Sequence, residues 1–96
     1  MGLLDGKVCL VSGAGQGLGR AISREMAAEG AAVVLLERNA GTVEAVAQEI
    51  AEAGGTAHPY QLDVTDYDGY GKVVADVAGK LGRIDVLVNN AAINPP

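Results

Sequence analysis

The sequence predicts an α/β protein built of βαβ units around a parallel sheet. Three observations carry that expectation. Four short β-like runs alternate with three segments of helical periodicity along 96 residues. The first run, around Val8-Cys9-Leu10-Val11, is apolar throughout, as a strand buried on both faces must be. A glycine-rich turn then joins that strand directly to the first helix. Strands alternating with helices of about 12–15 residues make βαβ units with right-handed crossovers.

The elements follow in order. Lys7–Val11 reads as the first strand and Ser12–Gly17 as the turn. Leu18–Glu29 reads as a helix with Leu18, Ala21, Ile22 and Met26 on its inward face and Gly30 as its stop. Ala32–Leu36 is the second strand. Thr42–Ala53 is the most regular helix, its Val43, Val46, Ala47 and Ile50 at i, i+3, i+4 and i+7, and Gly54-Gly55 ends it. Thr56–Leu62 makes a third strand, placed at a sheet edge by Pro59, which lacks an amide donor. Thr65-x-x-Asp68 resembles a capping box opening a third helix with Val73, Val74, Val77, Ala78 and Leu81 inward. Gly69, Gly71 and Gly79 each cost that helix roughly 1 kcal/mol against alanine, so it should be the weakest of the three. Arg83–Asn89 carries the fourth strand, Asp85-Val86-Leu87-Val88.

Composition narrows the function classes. Seven Lys+Arg against twelve Asp+Glu leave a net charge of −5, which disfavours nucleic-acid or anionic-membrane partners. Three tyrosines and no other aromatic residue make a poor stacking platform for single strands. No apolar run approaches the roughly 20 residues of a membrane span and no signal peptide opens the chain, so a cytoplasmic protein is expected. The single Cys9 fits a reducing compartment and reads as a small buried hydrophobe. His58 is the only histidine and stands without cysteine company, so no metal site is expected.

The turn Ser12-Gly13-Ala14-Gly15-Gln16-Gly17-Leu18-Gly19 has the physics of an anion site. Glycines let the backbone bend sharply and approach a ligand, and the following helix presents unpaired N–H groups and a partial positive end. It is not a P-loop, since no lysine follows, and it is not G-x-G-x-x-G; the spacing present is G-x-x-x-G-x-G. The bland alternative is a tight turn whose glycines serve packing alone. Glu37, 18 positions after Gly19 at the end of the second strand, adds an acid where an adenosine ribose would be held.

With these residues in place the chain resembles the short-chain dehydrogenase/reductase family over its whole length. The family's T-G-x-x-x-G-x-G pattern appears as Ser12-Gly13…Gly17-Leu18-Gly19, with serine for threonine; its D-V pair as Asp63-Val64; its N-N-A-G segment as Asn89-Asn90-Ala91-Ala92. The approach Gly82-Arg83-Ile84-Asp85-Val86-Leu87-Val88 is also similar. The resemblance implies a Rossmann-type doubly wound sheet, truncated after the fourth strand, in which residues 1–96 are the N-terminal dinucleotide-binding part of one domain. It implies that Gly13, Gly15, Gln16, Gly17, Leu18 and Gly19 line the pyrophosphate and neighbouring ribose. Asp63 would hold the adenine amino group, Val64 would pack on the ring, and Asn90, Ala91 and Ala92 would lie beside the adenosine ribose. Ala92 departs from the family's glycine, and its added methyl could narrow the cofactor slot.

The implied cofactor is NAD rather than NADP. A 2′-phosphate within about 4 Å of Glu37 would cost up to a few kcal/mol at an effective dielectric near 20. Gln16 stands where NADP-preferring members usually carry a basic residue. Arg38 is the counter-evidence, since arginine can pair with a 2′-phosphate or stack on adenine.

The family's catalytic serine, tyrosine and lysine have no counterpart here. Tyr60, Tyr67 and Tyr70 are followed four residues later by Val64, Gly71 and Val74, so there is no Y-x-x-x-K; the tyrosines read as amphipathic surface or helix-start residues. The expectation is therefore the cofactor-binding half of an oxidoreductase acting on a secondary alcohol or ketone, inactive by itself and prone to form homo-oligomers through its fourth strand. The alternative is a non-catalytic nucleotide-binding or interaction module.

Overall fold

The apolar runs 8–11 and 33–36 have little choice but the interior, while the two more exposed runs that follow take the edges of the sheet. In the computed structural model, which describes residues 2–15 and 17–90, these runs form β1 (Val8–Ser12), β2 (Ala32–Glu37), β3 (Thr56–Gln61) and β4 (Val86–Asn89). Between them lie α1 (Gly17–Ala28), α2 (Ala40–Glu52) and α3 (Tyr67–Leu81). The strands make one parallel sheet in the order β3-β2-β1-β4. Successive strands step outward from β1 to β3, and the chain then crosses back to place β4 on the other side of β1. That reversal creates a switch point between β1 and β4, the place where open α/β sheets bind ligands.

Alternation along the strands divides the core in two. Cys9, Val11, Val33 and Leu35 face α1 and α2 with Ala27, Val43, Val46 and Ile50. Val8, Leu10, Val34 and Leu36 face the opposite way, toward Leu62 and Val77, with Tyr70, Val73 and Leu81 of α3 packed beside them. The sheet is thus doubly wound, as expected. Pro59 lies on β3 at the sheet edge, paired with Leu35 of β2. Cys9 is fully buried, and burial, followed by the nearby Asp85, pushes its thiol pKa up, so it behaves as a core hydrophobe.

Four expectations need correction. α1 does not turn Leu18 and Ala21 inward: Leu18 is 66% exposed, and the fully buried stripe is Gly19, Ser23 and Ala27, with Ile22 and Met26 at its margin. Small residues win because the helix must start hard against the turn that precedes it, and Ser23 spends its hydroxyl on the Gly19 carbonyl at 2.7 Å. α3 is capped by Asp66, whose carboxylate accepts from the Gly69 amide at 2.9 Å, and not by Thr65, whose side chain is taken by Asp63. Ala78 is exposed on α3, and Tyr70 takes a place against the core instead. Tyr60 is no surface tyrosine: its hydroxyl donates to Asp76 at 2.7 Å, tying β3 to α3, and this bond with burial raises its pKa to about 12.

The lower end of the β1–β4 seam is closed by one carboxylate. Arg83 donates from Nε and Nη2 to Asp85 Oδ1 at 2.9 and 2.6 Å, while Oδ2 accepts from the Val8 amide at 2.8 Å. Arg83 first, and the Val8 amide second, hold the Asp85 carboxyl below the usual carboxylate range. A depressed acid stabilises fully above the unfolded value of about 3.9 and loses that contribution as pH falls through its lower folded value. Asp85→Asn should therefore lower the urea midpoint at neutral pH and flatten its decline between about pH 5 and pH 2. An acid limb identical to that of the unsubstituted chain would contradict this.

Candidate functional site

β1 ends on Ser12, which is fully buried, and the chain then turns over the top of the sheet. Gly13 (φ 64°) and Gly17 (φ 58°) take left-handed backbone that side chains rarely adopt, and these two residues let the chain leave the strand and enter α1. The Ala14 amide donates to the Leu36 carbonyl at 3.2 Å, anchoring the turn to the end of β2. Gly19 is buried in the first turn of α1. A Cβ there would sit 1.9 Å from the Gly13 carbonyl oxygen and 2.7 Å from Asn90 Nδ2.

Two neighbouring strand ends close on the turn. From β4, Asn90 Nδ2 donates to the Gly13 carbonyl at 3.3 Å. One residue earlier, Asn89 Oδ1 lies 3.1 Å from the Ser12 hydroxyl, which also lies 3.4 Å from the Val88 carbonyl. From β2, half-buried Glu37 reaches across so that Oε2 accepts from the Gly15 amide at 3.1 Å, while Oε1 accepts from the Arg38 amide at 3.1 Å. The positive end of α1 and two asparagines thus share the switch point, and one acid reaches the turn from β2 on the other side of β1.

The structure brings together Gly13, Gly15, Gly17, Gly19, Glu37 and Asn90 from the sequence-predicted set, with Leu18 exposed on the first turn of α1. Asp63 and Val64 follow the end of β3, two strands from the glycine turn but one strand from Glu37, whose carbonyl accepts from the Leu62 amide at 2.9 Å. Asp63 Oδ1 accepts from the Thr65 amide at 2.9 Å and the Thr65 hydroxyl at 2.7 Å, and these bonds, with some help from the Arg38 charge, lower its pKa. Arg38 is exposed, and its carbonyl accepts from Gln61 Nε2 at 3.2 Å. Gln16, Ala91 and Ala92 lie outside the described residues.

Three contributors were missed from sequence. Asn89 was read only as part of a motif, yet it meets Ser12 across the β1–β4 seam. Thr42, in the first turn of α2, packs against Gly15 beside Glu37. Thr65 orients Asp63, a pairing that an Asp-x-Thr spacing at a strand exit could have signalled. Among the described residues no group of three or more His, Cys, Asp or Glu could hold a metal ion, and no helix is long and apolar enough to cross a membrane.

A parallel sheet with a crossover switch point, a glycine turn opening a helix there, and an acid at the end of the adjacent strand define a Rossmann-like α/β protein. The short chain dehydrogenase family model matches residues 7–96, and the chain belongs to that family of oxidoreductases. It is 44% identical over 90 residues to the 3-oxoacyl-(acyl-carrier-protein) reductase FabG of Thermotoga maritima, covering 94% of this chain and 37% of the relative. It is 43% identical over 90 residues to meso-2,3-butanediol dehydrogenase of Serratia marcescens, covering 94% and 35%. Among solved structures, a metagenomic short-chain oxidoreductase in complex with NADP superposes with a TM-score of 0.90 at 41% identity, over 94% of this chain and 41% of that one. A hydroxysteroid dehydrogenase from Escherichia coli superposes at 0.91 with 38% identity, over 97% and 40%. The chain thus spans about a third of the length of the curated relatives it matches.

Proposed function

We propose that this chain is the cofactor-holding part of an NAD(P)-dependent oxidoreductase, the N-terminal dinucleotide-binding portion (1–96) of a single Rossmann domain, with NAD preferred over NADP. The observation that carries the reading is the glycine turn itself. Gly19 meets the Gly13 carbonyl with no room for a methyl group, and Asn90 binds that same carbonyl at the switch point. A turn that served packing alone would not need an acid from the next strand aimed at its amide.

The residues present fit a dinucleotide. The first-turn amides of α1, Gly17 to Gly19, suit a pyrophosphate without a basic side chain. Glu37 would accept the adenosine ribose hydroxyls, with Arg38 beside it. Asp63 would accept from the adenine amino group with Val64 against the ring, and Asn90, Ala91 and Ala92 would flank the ribose. When bound, the nicotinamide exchanges a hydride with a secondary alcohol or ketone. This chain's residues bind and orient; the proton-handling tyrosine and lysine of the family have no counterpart among its 96 residues. A cytoplasmic setting belongs to the same reading, supported by a single cysteine that is buried and free.

Calorimetric titration of the 96-residue chain tests it. NAD should bind weakly and more tightly than NADP, and no ketone-dependent consumption of reduced cofactor should follow. Tighter NADP binding would overturn the role given to Glu37, and measurable turnover would overturn the assignment of the chemistry to residues other than these.

A further inference from the structure

We propose that Gly15 is a positioning residue for Glu37: its missing side chain leaves the seat in which the Glu37 carboxylate is held on the turn, and that seat sets the discrimination between NAD and NADP. The inference rests on the dinucleotide reading above and deepens it.

Gly15 is buried, and its φ lies outside the left-handed region, so its backbone asks nothing that alanine could not supply. What it lacks is space. A Cβ would fall 2.7 Å from Glu37 Cγ, 2.7 Å from Thr42 Cγ2 and 2.8 Å from Glu37 Oε2. The volume that a methyl group would take is filled by the Glu37 side chain, walled on its other side by Thr42. The carboxylate is held at both oxygens, Oε2 by the Gly15 amide and Oε1 by the Arg38 amide, each at 3.1 Å.

Holding matters because a glutamate has three rotatable bonds. Left unrestrained, it would swing away from an incoming phosphate at the small cost of a rotamer change, and little discrimination would result. Seated, its charge stays where the second strand ends, and a dinucleotide carrying an extra phosphate there must meet it. The neighbours of Gly15 are side chains that can give way, unlike the backbone oxygen that faces Gly19. Gly15→Ala should therefore displace the carboxylate and leave the fold standing.

The experiment uses the 96-residue chain and the variants Gly15→Ala, Glu37→Ala and the two combined. Affinities for NAD and NADP are measured by calorimetry, and the Gly15 amide proton is followed by NMR in the unsubstituted and Glu37→Ala chains. Gly15→Ala should reduce the NAD-to-NADP affinity ratio by about tenfold, and should leave the ratio unchanged when added to Glu37→Ala. An unchanged ratio in Gly15→Ala, or an equal drop in the Glu37→Ala background, would overturn the proposal. The Gly15 amide proton should move upfield in Glu37→Ala; an unmoved resonance would overturn the seat itself, with no cofactor involved. Failure of the unsubstituted chain to bind either dinucleotide sinks the dinucleotide reading and the discrimination with it, while the amide resonance separately reports whether the seat exists.

Discussion

Gly19→Ala is expected to abolish dinucleotide binding and to destabilise the chain by about 3 kcal/mol, the upper end of the overpacking range. The reason is the identity of the obstacle. The new methyl would lie 1.9 Å from the Gly13 carbonyl oxygen and 2.8 Å from its carbon, and that backbone is tied down by Asn90. Nothing there can rotate away, so α1 must lift off the turn. Lifting it opens the buried stripe of Gly19, Ser23 and Ala27 against the sheet. Against a total stability of about 5–14 kcal/mol for a chain this size, such a loss is a large share. Urea unfolding read by circular dichroism, together with NAD titration, checks both halves. An unchanged midpoint with unchanged binding would show that the contact between the helix and the turn is looser than 1.9 Å implies.

The second large effect expected is self-association through β4. Among the described residues β4 pairs with β1 alone, and its other edge has no partner strand. The two ends of the sheet differ chemically. β3 carries Pro59, which removes a backbone donor from its edge, whereas β4 is Val86-Leu87-Val88-Asn89 with neither proline nor charge to guard it. Leu87, paired with Leu10, lies on the α3 side of the sheet and is 58% exposed. Sedimentation of the 96-residue chain should show mass rising with concentration. Only the exposed part of Leu87 remains to be buried on association, so Leu87→Lys should forfeit about 1–1.7 kcal/mol, weakening association by about tenfold. A monodisperse monomer at every concentration would remove β4 as a docking edge.

The architecture is legible in the sequence only where particular residues carry the signal. β1 and β2 are apolar on both faces, and no arrangement other than burial suits Val33-Val34-Leu35-Leu36; α2 likewise declared its face through Val43, Val46 and Ile50. α1 misled because periodicity ranks residues by size and sends the largest inward. Its contact with the turn instead demands the smallest, so Leu18 was left outside and Ser23 brought in. The third cap misled because Thr65 and Asp66 both suit the position, and only the demand of Asp63 on Thr65 decides between them.

The candidate site divides along the same line. The glycines of the turn and the acid that follows were legible as chemistry, because a G-x-x-x-G-x-G turn between strand and helix has few other uses and Glu37 stands at a fixed distance from it along the chain. That Glu37 bends back to the Gly15 amide, that Asn90 grips the Gly13 carbonyl and that Asn89 meets Ser12 were not legible. The asparagine pairings join residues 77 positions apart and the Glu37 contact spans 22, so sheet register decides which side chains meet.

The sequence by itself determined the alternation of strands and helices, the burial of β1 and β2, the turn that opens α1 and the family to which the chain belongs. These follow from short-range properties: periodicity, left-handed backbone at glycine and the spacing of motifs along one segment. Only the tertiary structure decided the order β3-β2-β1-β4, which face of α1 is buried and what Gly15 and Gly19 each make room for. Those depend on atoms brought together where β1 pairs with β2 on one side and with β4 on the other, so that distance in space no longer follows distance along the chain.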